Sequence, residues 1–248
     1  PQSRQAIARY VSNHAQCCCI ESADGAGAWR AICRPEITSA QIPFTRTLLP
    51  LSRQNEYRRR YAALTPGWQP SGEVYERLVR ESLTPGARWL DLGGGRGGLV
   101  ELLRSNAALA VALDPDWPSL REHRVPALPR ACGLADALPY PADCFDVVTA
   151  SWLLEHLTAP ETVFAEAHRV LRSPDPESGK PGGRLVFLTP NAGHPLIGAN
   201  RVSQLAPRLQ RRLVPRLYAR SEADTFPVRY KANTPDQLHR LGRQAGFT

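Results

Sequence analysis

From Arg88 onward the chain alternates between short apolar runs and longer segments whose apolar residues return every third or fourth position. Arg88 to Leu92, "ALAVALD" from Ala108 to Asp114, "CGLAD" ending at Asp136, "FDVVTAS" from Phe145 to Ser151 and "RLVFLTP" from Arg184 read as strands. Each is brief, apolar and bounded by turn residues. Between them Leu99 to Arg104 starts a helix, and Glu161 to Leu171 puts Val163, Phe164, Ala167, Val170 and Leu171 on one helical face. Upstream, Arg53 to Leu64 is helix-compatible, and Ser71 stands where it could cap a helix from Gly72 to about Leu83, with Val74, Leu78 and Val79 apolar. Thr234 as cap, Pro235 in the first turn and Gly246 at the end bracket a last helix that turns Leu238 and Leu241 inward. Strands alternating with helices at this spacing predict an α/β fold, a doubly wound and mainly parallel sheet with helices on both faces.

The pattern also divides the chain. Residues 1–52 hold no sustained period of either kind, and we treat them as a poorly specified leader. Residues 53–248 form the main domain, and within it 191–233 is too long for a simple connection and reads as a lid-like insertion. The arginine-rich stretch 200–220, with Leu205, Leu209, Leu213 and Leu217 at helical spacing, reads as short helices over a pocket, with peripheral membrane contact as the competing reading. Length of 248 residues and 42% hydrophobic content fit one good-sized domain with an appendage. No apolar run is long enough to cross a membrane and no secretory signal pattern opens the chain, so a cytoplasmic protein is expected.

Charge changes this picture little. The net charge of +8 comes almost wholly from scattered arginines, with no strip of aromatics among them, so a nucleic-acid partner is not expected. The six cysteines include three in a row, Cys17 to Cys19, and lack the spacing of a ligand set, so neither a metal site nor a disulfide framework is assigned. The chain holds no methionine and stops at "QAGFT", from which we expect a trimmed chain.

In doubly wound sheets, ligands bind in the crevice beyond the carboxyl ends of the strands. Those ends carry Asp91 to Gly98, Asp114, Asp136, Ser151 with Trp152, and Thr189 to Asn191. "DLGGGRG" alternates Gly93, Gly95 and Gly97 behind Asp91, and glycine there lets a ligand press against bare backbone. Such a turn serves NAD, FAD or another adenosine compound, or is merely tight. Asp114, ending the second strand, can accept hydrogen bonds from both ribose hydroxyls, which argues against a 2′-phosphate.

Taken in order, "WLDLGGGRGG", "VALDPD", "GLADALPYPADCFDVVTASWLLEHL" and "HRVLRSPDPESGKPGGRLVFLTPN" resemble the class I S-adenosylmethionine-dependent methyltransferases, in particular the small-molecule branch related to ubiquinone and menaquinone methyltransferases. The resemblance covers about residues 55–248 and implies a Rossmann-like sheet with two further strands after the last helix, which this chain would lack. It implies S-adenosylmethionine as cofactor and a small-molecule methyl acceptor, with an apolar or lipid-like acceptor among the readings. It implies cofactor contacts from Asp91, Gly93, Gly94, Gly95 and Gly97 toward the methionine end, Asp114 and Pro115 toward the ribose, Asp136 and the backbone of Ala137 toward the adenine, and Ser151 at the fourth strand end. Arg96 lies between two readings, a partner for the methionine carboxylate or a side chain in water. Methyl transfer from a sulfonium depends mainly on alignment, and a hydroxyl or acidic carbon acceptor also needs a base. His156 in "LLEHL" and His194 in "NAGHPL" are the candidates by position. Tyr57, Tyr61 and Trp68 read equally as parts of a lid or as aromatics packed on the core. The alternatives are an NAD-dependent oxidoreductase and a non-catalytic binding module that keeps the fold.

Overall fold

The computed structural model describes residues 51–177, 179–193 and 227–247, with side chains from 56 onward, together with the backbone of 19–23 and 28–32. In the leader, strands β1 (Cys19–Ala23) and β2 (Ala28–Ile32) pair antiparallel, an element the sequence pattern did not predict. Helices α1 (Leu51–Leu64) and α2 (Ser71–Ser82) then lead into an alternating series: β3 (Arg88–Leu92), α3 (Leu99–Leu103), β4 (Leu109–Asp114), α4 (Trp117–Arg121), β5 (Arg130–Cys132), β6 (Val147–Ser151), α5 (Pro160–Val170), β7 (Arg184–Leu188) and α6 (Pro235–Ala245).

The strands of the main sheet are all parallel and lie in the order β5-β4-β3-β6-β7. Successive side chains of a strand point to opposite faces, and each face here has its own cover. Trp89, Ala110, Ala112 and Val147 pack under α2, α3 and α4 through Tyr75, Val79, Val100, Leu103 and Leu120. Leu90, Leu92, Val111, Leu113, Val148 and Ala150 pack under α5 and α6 through Val163, Phe164, Ala167, Val170 and Leu241. The chain leaves β3 toward β4 and β5 and then returns to the other side of β3 as β6, so the order reverses between β3 and β6 and a crevice opens beyond their carboxyl ends.

Two local expectations need correction. The third strand of the main sheet stops at Cys132, and Asp136 sits in the turn beyond it, because a hydrogen bond from Ala137 N–H to the Leu134 carbonyl at 3.3 Å folds the backbone out of line. In α2, Pro70 occupies the cap position and Ser71 is the first helical residue; its buried stripe is Tyr75 and Val79, while Leu78 is exposed. The last helix matches its reading: Thr234 Oγ1 accepts from the Gln237 N–H, Gln237 returns a bond to the Thr234 N–H, and Gly246 closes the helix at φ 98°.

Candidate cofactor site

Asp91 lies one residue from the end of β3, in register with Ala112 on one side and Thr149 on the other. Its side chain is only 7% exposed. Thr149 Oγ1 donates to Asp91 Oδ1 at 2.6 Å, and Trp89 Nε1 donates to Thr149 Oγ1 at 2.8 Å, so a buried chain of hydrogen bonds fixes the carboxylate. Burial disfavours its charged form and pushes its pKa up to about 6; the Thr149 hydroxyl works against this, and the charge of Asp114 adds to it. Tyr75 of α2 covers the same spot, and its phenol is raised first by burial and then by the neighbouring charge of Asp91.

The glycine turn bends back over β4. The N–H groups of Gly93 and Gly94 both donate to the Leu113 carbonyl, at 2.8 and 3.2 Å. Gly94 is glycine because a Cβ there would stand 2.8 Å from the Cβ of Ala112, and Gly97 because its φ is 118°. Asp114 then meets the turn: its Oδ2 accepts from the Gly95 N–H at 3.0 Å and its Oδ1 from the Asp116 N–H at 2.7 Å. Both oxygens are thereby oriented, and each keeps a lone pair for a further donor. Burial raises the Asp114 carboxyl against the pull of these two bonds. Pro115 follows at the surface, its carbonyl 3.6 Å from Cys132 Sγ. Arg96 pairs with Glu122 at 2.8 Å on an exposed surface, a partner that neither reading of this arginine had foreseen.

Beyond β5, Asp136 is half-buried and its side chain makes no hydrogen bond among the described residues, while Ala137 is exposed. Their position depends on α5. Glu166 Oε2 accepts from the Leu138 N–H at 2.7 Å, Arg169 pairs with Glu166 at 2.6 Å, and Arg169 also donates to the carbonyls of Tyr140 and Leu138. The guanidinium holds the Glu166 carboxyl below its ordinary range. The sequence reading missed this pair; an acid and an arginine three positions apart, off the apolar face of a helix, were its only trace.

At the end of β6, Ser151 is half-buried and Trp152 turns into the left-handed region at φ 56°. The Trp152 N–H donates to the Leu188 carbonyl at 2.8 Å, which ties the turn to the end of β7. Leu153 packs against Gly93, and a single 3-10 turn, Leu154–His156, follows. His156 is half-buried with Nδ1 3.1 Å from the Pro227 carbonyl. A carbonyl can only accept, so Nδ1 is the donor in this contact.

Glu155, which the sequence reading passed over, is 5% exposed; its main-chain carbonyl accepts from the N–H groups of Arg229 and Tyr230, and its carboxylate accepts from Thr189 Oγ1 at 3.3 Å. Asn233 Nδ2 donates to Thr189 Oγ1 at 2.5 Å, joining the end of β7 to the approach to α6. Burial raises the Glu155 carboxyl. Tyr57 and Tyr61 are about half exposed on α1, at 49% and 52%, so they are not core residues; Tyr61 meets Trp68 edge to face at 5.0 Å. His194, the stretch 200–220 and most of the lid-like insertion lie outside the described residues.

A parallel sheet in this strand order, a glycine turn over its central strand and carboxylates along one line of strand ends define a Rossmann-like domain built for an adenosine cofactor. Residues 90–187 match the family model described as a methyltransferase domain. The chain is 32% identical over 183 residues to the ubiquinone/menaquinone biosynthesis C-methyltransferase UbiE of a Ruegeria species, covering 66% of this chain and 67% of that protein. It is 32% identical over 136 residues to the ubiquinone biosynthesis O-methyltransferase of Hahella chejuensis, covering 50% of this chain and 54% of that one. A crystal structure of a methyltransferase candidate from Bacillus halodurans superposes with a TM-score of 0.52 at 18% identity over 69% of this chain and 68% of that one, a likeness of fold. The chain belongs to the class I S-adenosylmethionine-dependent methyltransferases: it is an enzyme and its cofactor is S-adenosylmethionine. The nicotinamide and non-catalytic readings find no support beside this membership. The chain spans about two thirds, or less, of the length of these curated relatives. Among the described residues, no helix is long and apolar enough to cross a membrane.

Proposed function

We propose that this chain methylates a ring oxygen or ring carbon of an apolar, quinone-type small molecule, the class named in its C- and O-methyltransferase relatives. The reading rests first on the fit of the crevice to a cofactor with no phosphate. When bound, S-adenosylmethionine supplies an activated methyl on a sulfonium. Asp91, buried and held by Thr149, is suited to an ammonium group, and the oriented pair of oxygens on Asp114 to two hydroxyl donors. Gly94 and Gly97 let the turn close where a side chain would meet Ala112 or Glu101, and the half-buried Asp136 offers an acceptor for an adenine edge. Gly93 and Gly95 shape the turn, with Pro115 and Ser151 as the outer contacts.

His156 is the proposed base. Its Nδ1 donates to the Pro227 carbonyl, which fixes the ring just beyond the carboxyl end of β6, where a phenolic or ring proton would be taken as methyl transfer proceeds. Methyl-tritiated cofactor with 2-prenyl-1,4-naphthohydroquinone as acceptor tests both parts. Label is expected in the organic phase, and His156→Ala is expected to lower kcat by about 100-fold while leaving S-adenosylhomocysteine affinity unchanged. Label confined to the aqueous phase would contradict the acceptor class, and an unchanged kcat in His156→Ala would contradict the base.

A further inference from the structure

Trp152 has an unusual conformation for its residue type and an unusual exposure for its size. It is one of three non-glycine residues at positive φ among those described, and a bulky side chain rarely stays there unless its surroundings require it. The residue is 54% exposed, on a turn whose neighbours Leu154, Glu155 and Leu157 are all buried. The ring is therefore not used to fill the core, although the core begins two residues later. The backbone on both sides is fixed: the Trp152 N–H is bonded to Leu188 at the end of β7, and Leu153 is seated on Gly93 of the cofactor turn. The left-handed turn thus sets Trp152 at the carboxyl end of β6, beside the strand-order reversal and one residue ahead of the Leu153 that lies near Gly93.

We infer that Trp152 is an acceptor-binding residue that selects a planar conjugated ring by stacking against it at the mouth of the cofactor crevice. This rests on the methyl-transfer reading and extends it to the shape of the acceptor. An indole face is broad, rigid and weakly polar, so it gains most from a flat ring laid on it and little from a flexible aliphatic chain. A ring so held has one face against protein and its edge directed along the crevice, which restricts the atom offered for methylation. Holding the ring on a strained but doubly anchored turn limits the ordering cost when the acceptor arrives.

The test is a binding measurement made in saturating S-adenosylhomocysteine, with 1,4-naphthoquinone as the probe ring. The probe is expected to bind the wild-type complex saturably and to quench indole emission that is missing from Trp152→Phe. By equilibrium dialysis, Trp152→Phe should hold the probe within about threefold of wild type, whereas Trp152→Ala and Trp152→Leu should weaken it by at least about tenfold. S-adenosylhomocysteine affinity should stay within about twofold across all four proteins. Equal probe binding by Trp152→Ala and wild type would overturn the inference, as would failure of the wild-type complex to bind the probe. A parallel loss of cofactor affinity in the variants would also overturn it, by making Trp152 a support of the cofactor turn. A folded wild-type chain that binds no S-adenosylhomocysteine would instead remove the cofactor reading beneath it.

Discussion

Asp91 is ionised only at some cost, and that cost makes its behaviour testable. A carboxyl at about 6 in the folded chain binds more protons than the same group unfolded between its ordinary range and that value. Its contribution to stability therefore falls as pH rises across that window and is constant above it. With Asp91 in its proposed role beside the cofactor's ammonium, binding has the opposite sense, because an ammonium needs the ionised form. S-adenosylhomocysteine affinity should be flat above about pH 7 and fall by about tenfold per unit below about pH 6. Thr149→Val removes the donor that favours the charged form, so the same titration should show its inflection at higher pH. An inflection that does not move would mean that another group controls binding. Gly94 gives a second outcome at this scale. Gly94→Ala puts a methyl 2.8 Å from the Ala112 Cβ, between two backbones with little freedom to part. It should cost about 1 to 3 kcal/mol of stability in chemical denaturation, with a larger proportional loss of cofactor affinity.

At the scale of elements, the site is a set of strand ends held in place by the helices around them, with Tyr75 of α2 lying over Asp91. The Glu166–Arg169 pair of α5 fixes residues 138–140, and so the approach to Asp136, from the opposite face of the sheet to Asp91. Helix α6 packs on α5, and its start is secured by the reciprocal bonds of Thr234 and Gln237. Thr234→Ala should lower unfolding free energy by about 1 kcal/mol, read as a shift in denaturation midpoint with an unchanged slope. A loss below a few tenths would show that the helix is held by packing alone. Strands β3, β4 and β6 and the acids Asp91 and Asp114 were legible from sequence, because an apolar run stopped by an acid and glycines has few other uses. Glu155, Thr189 and Asn233 were not, since they are polar residues at turns whose meaning comes from burial between distant segments. The β1–β2 pair escaped notice because its strands carry no alternation. Ser71 was misread as a cap because Pro70, one residue earlier, already sets the helical entry.

For the whole molecule, one sheet divides the labour. The face under α2 to α4 presents Asp91 and Thr149, while the face under α5 and α6 supplies the packing that sets strand register. The charge of +8 is diluted locally, since Arg60, Arg80, Arg96, Arg124, Arg169 and Arg172 each face a glutamate or aspartate. Cofactor selection by the site is accordingly attributed to carboxylates at strand ends and to bare backbone, with the net charge playing no part in it. Isothermal titration of S-adenosylhomocysteine into the folded protein near pH 7.5 tests this most directly. The account predicts one-site binding that Asp114→Ala weakens by about 1 to 3 kcal/mol, because the ribose hydroxyls and the Gly95 and Asp116 N–H groups lose their acceptor. No measurable binding to the folded wild-type chain, or binding indifferent to Asp114, would contradict it.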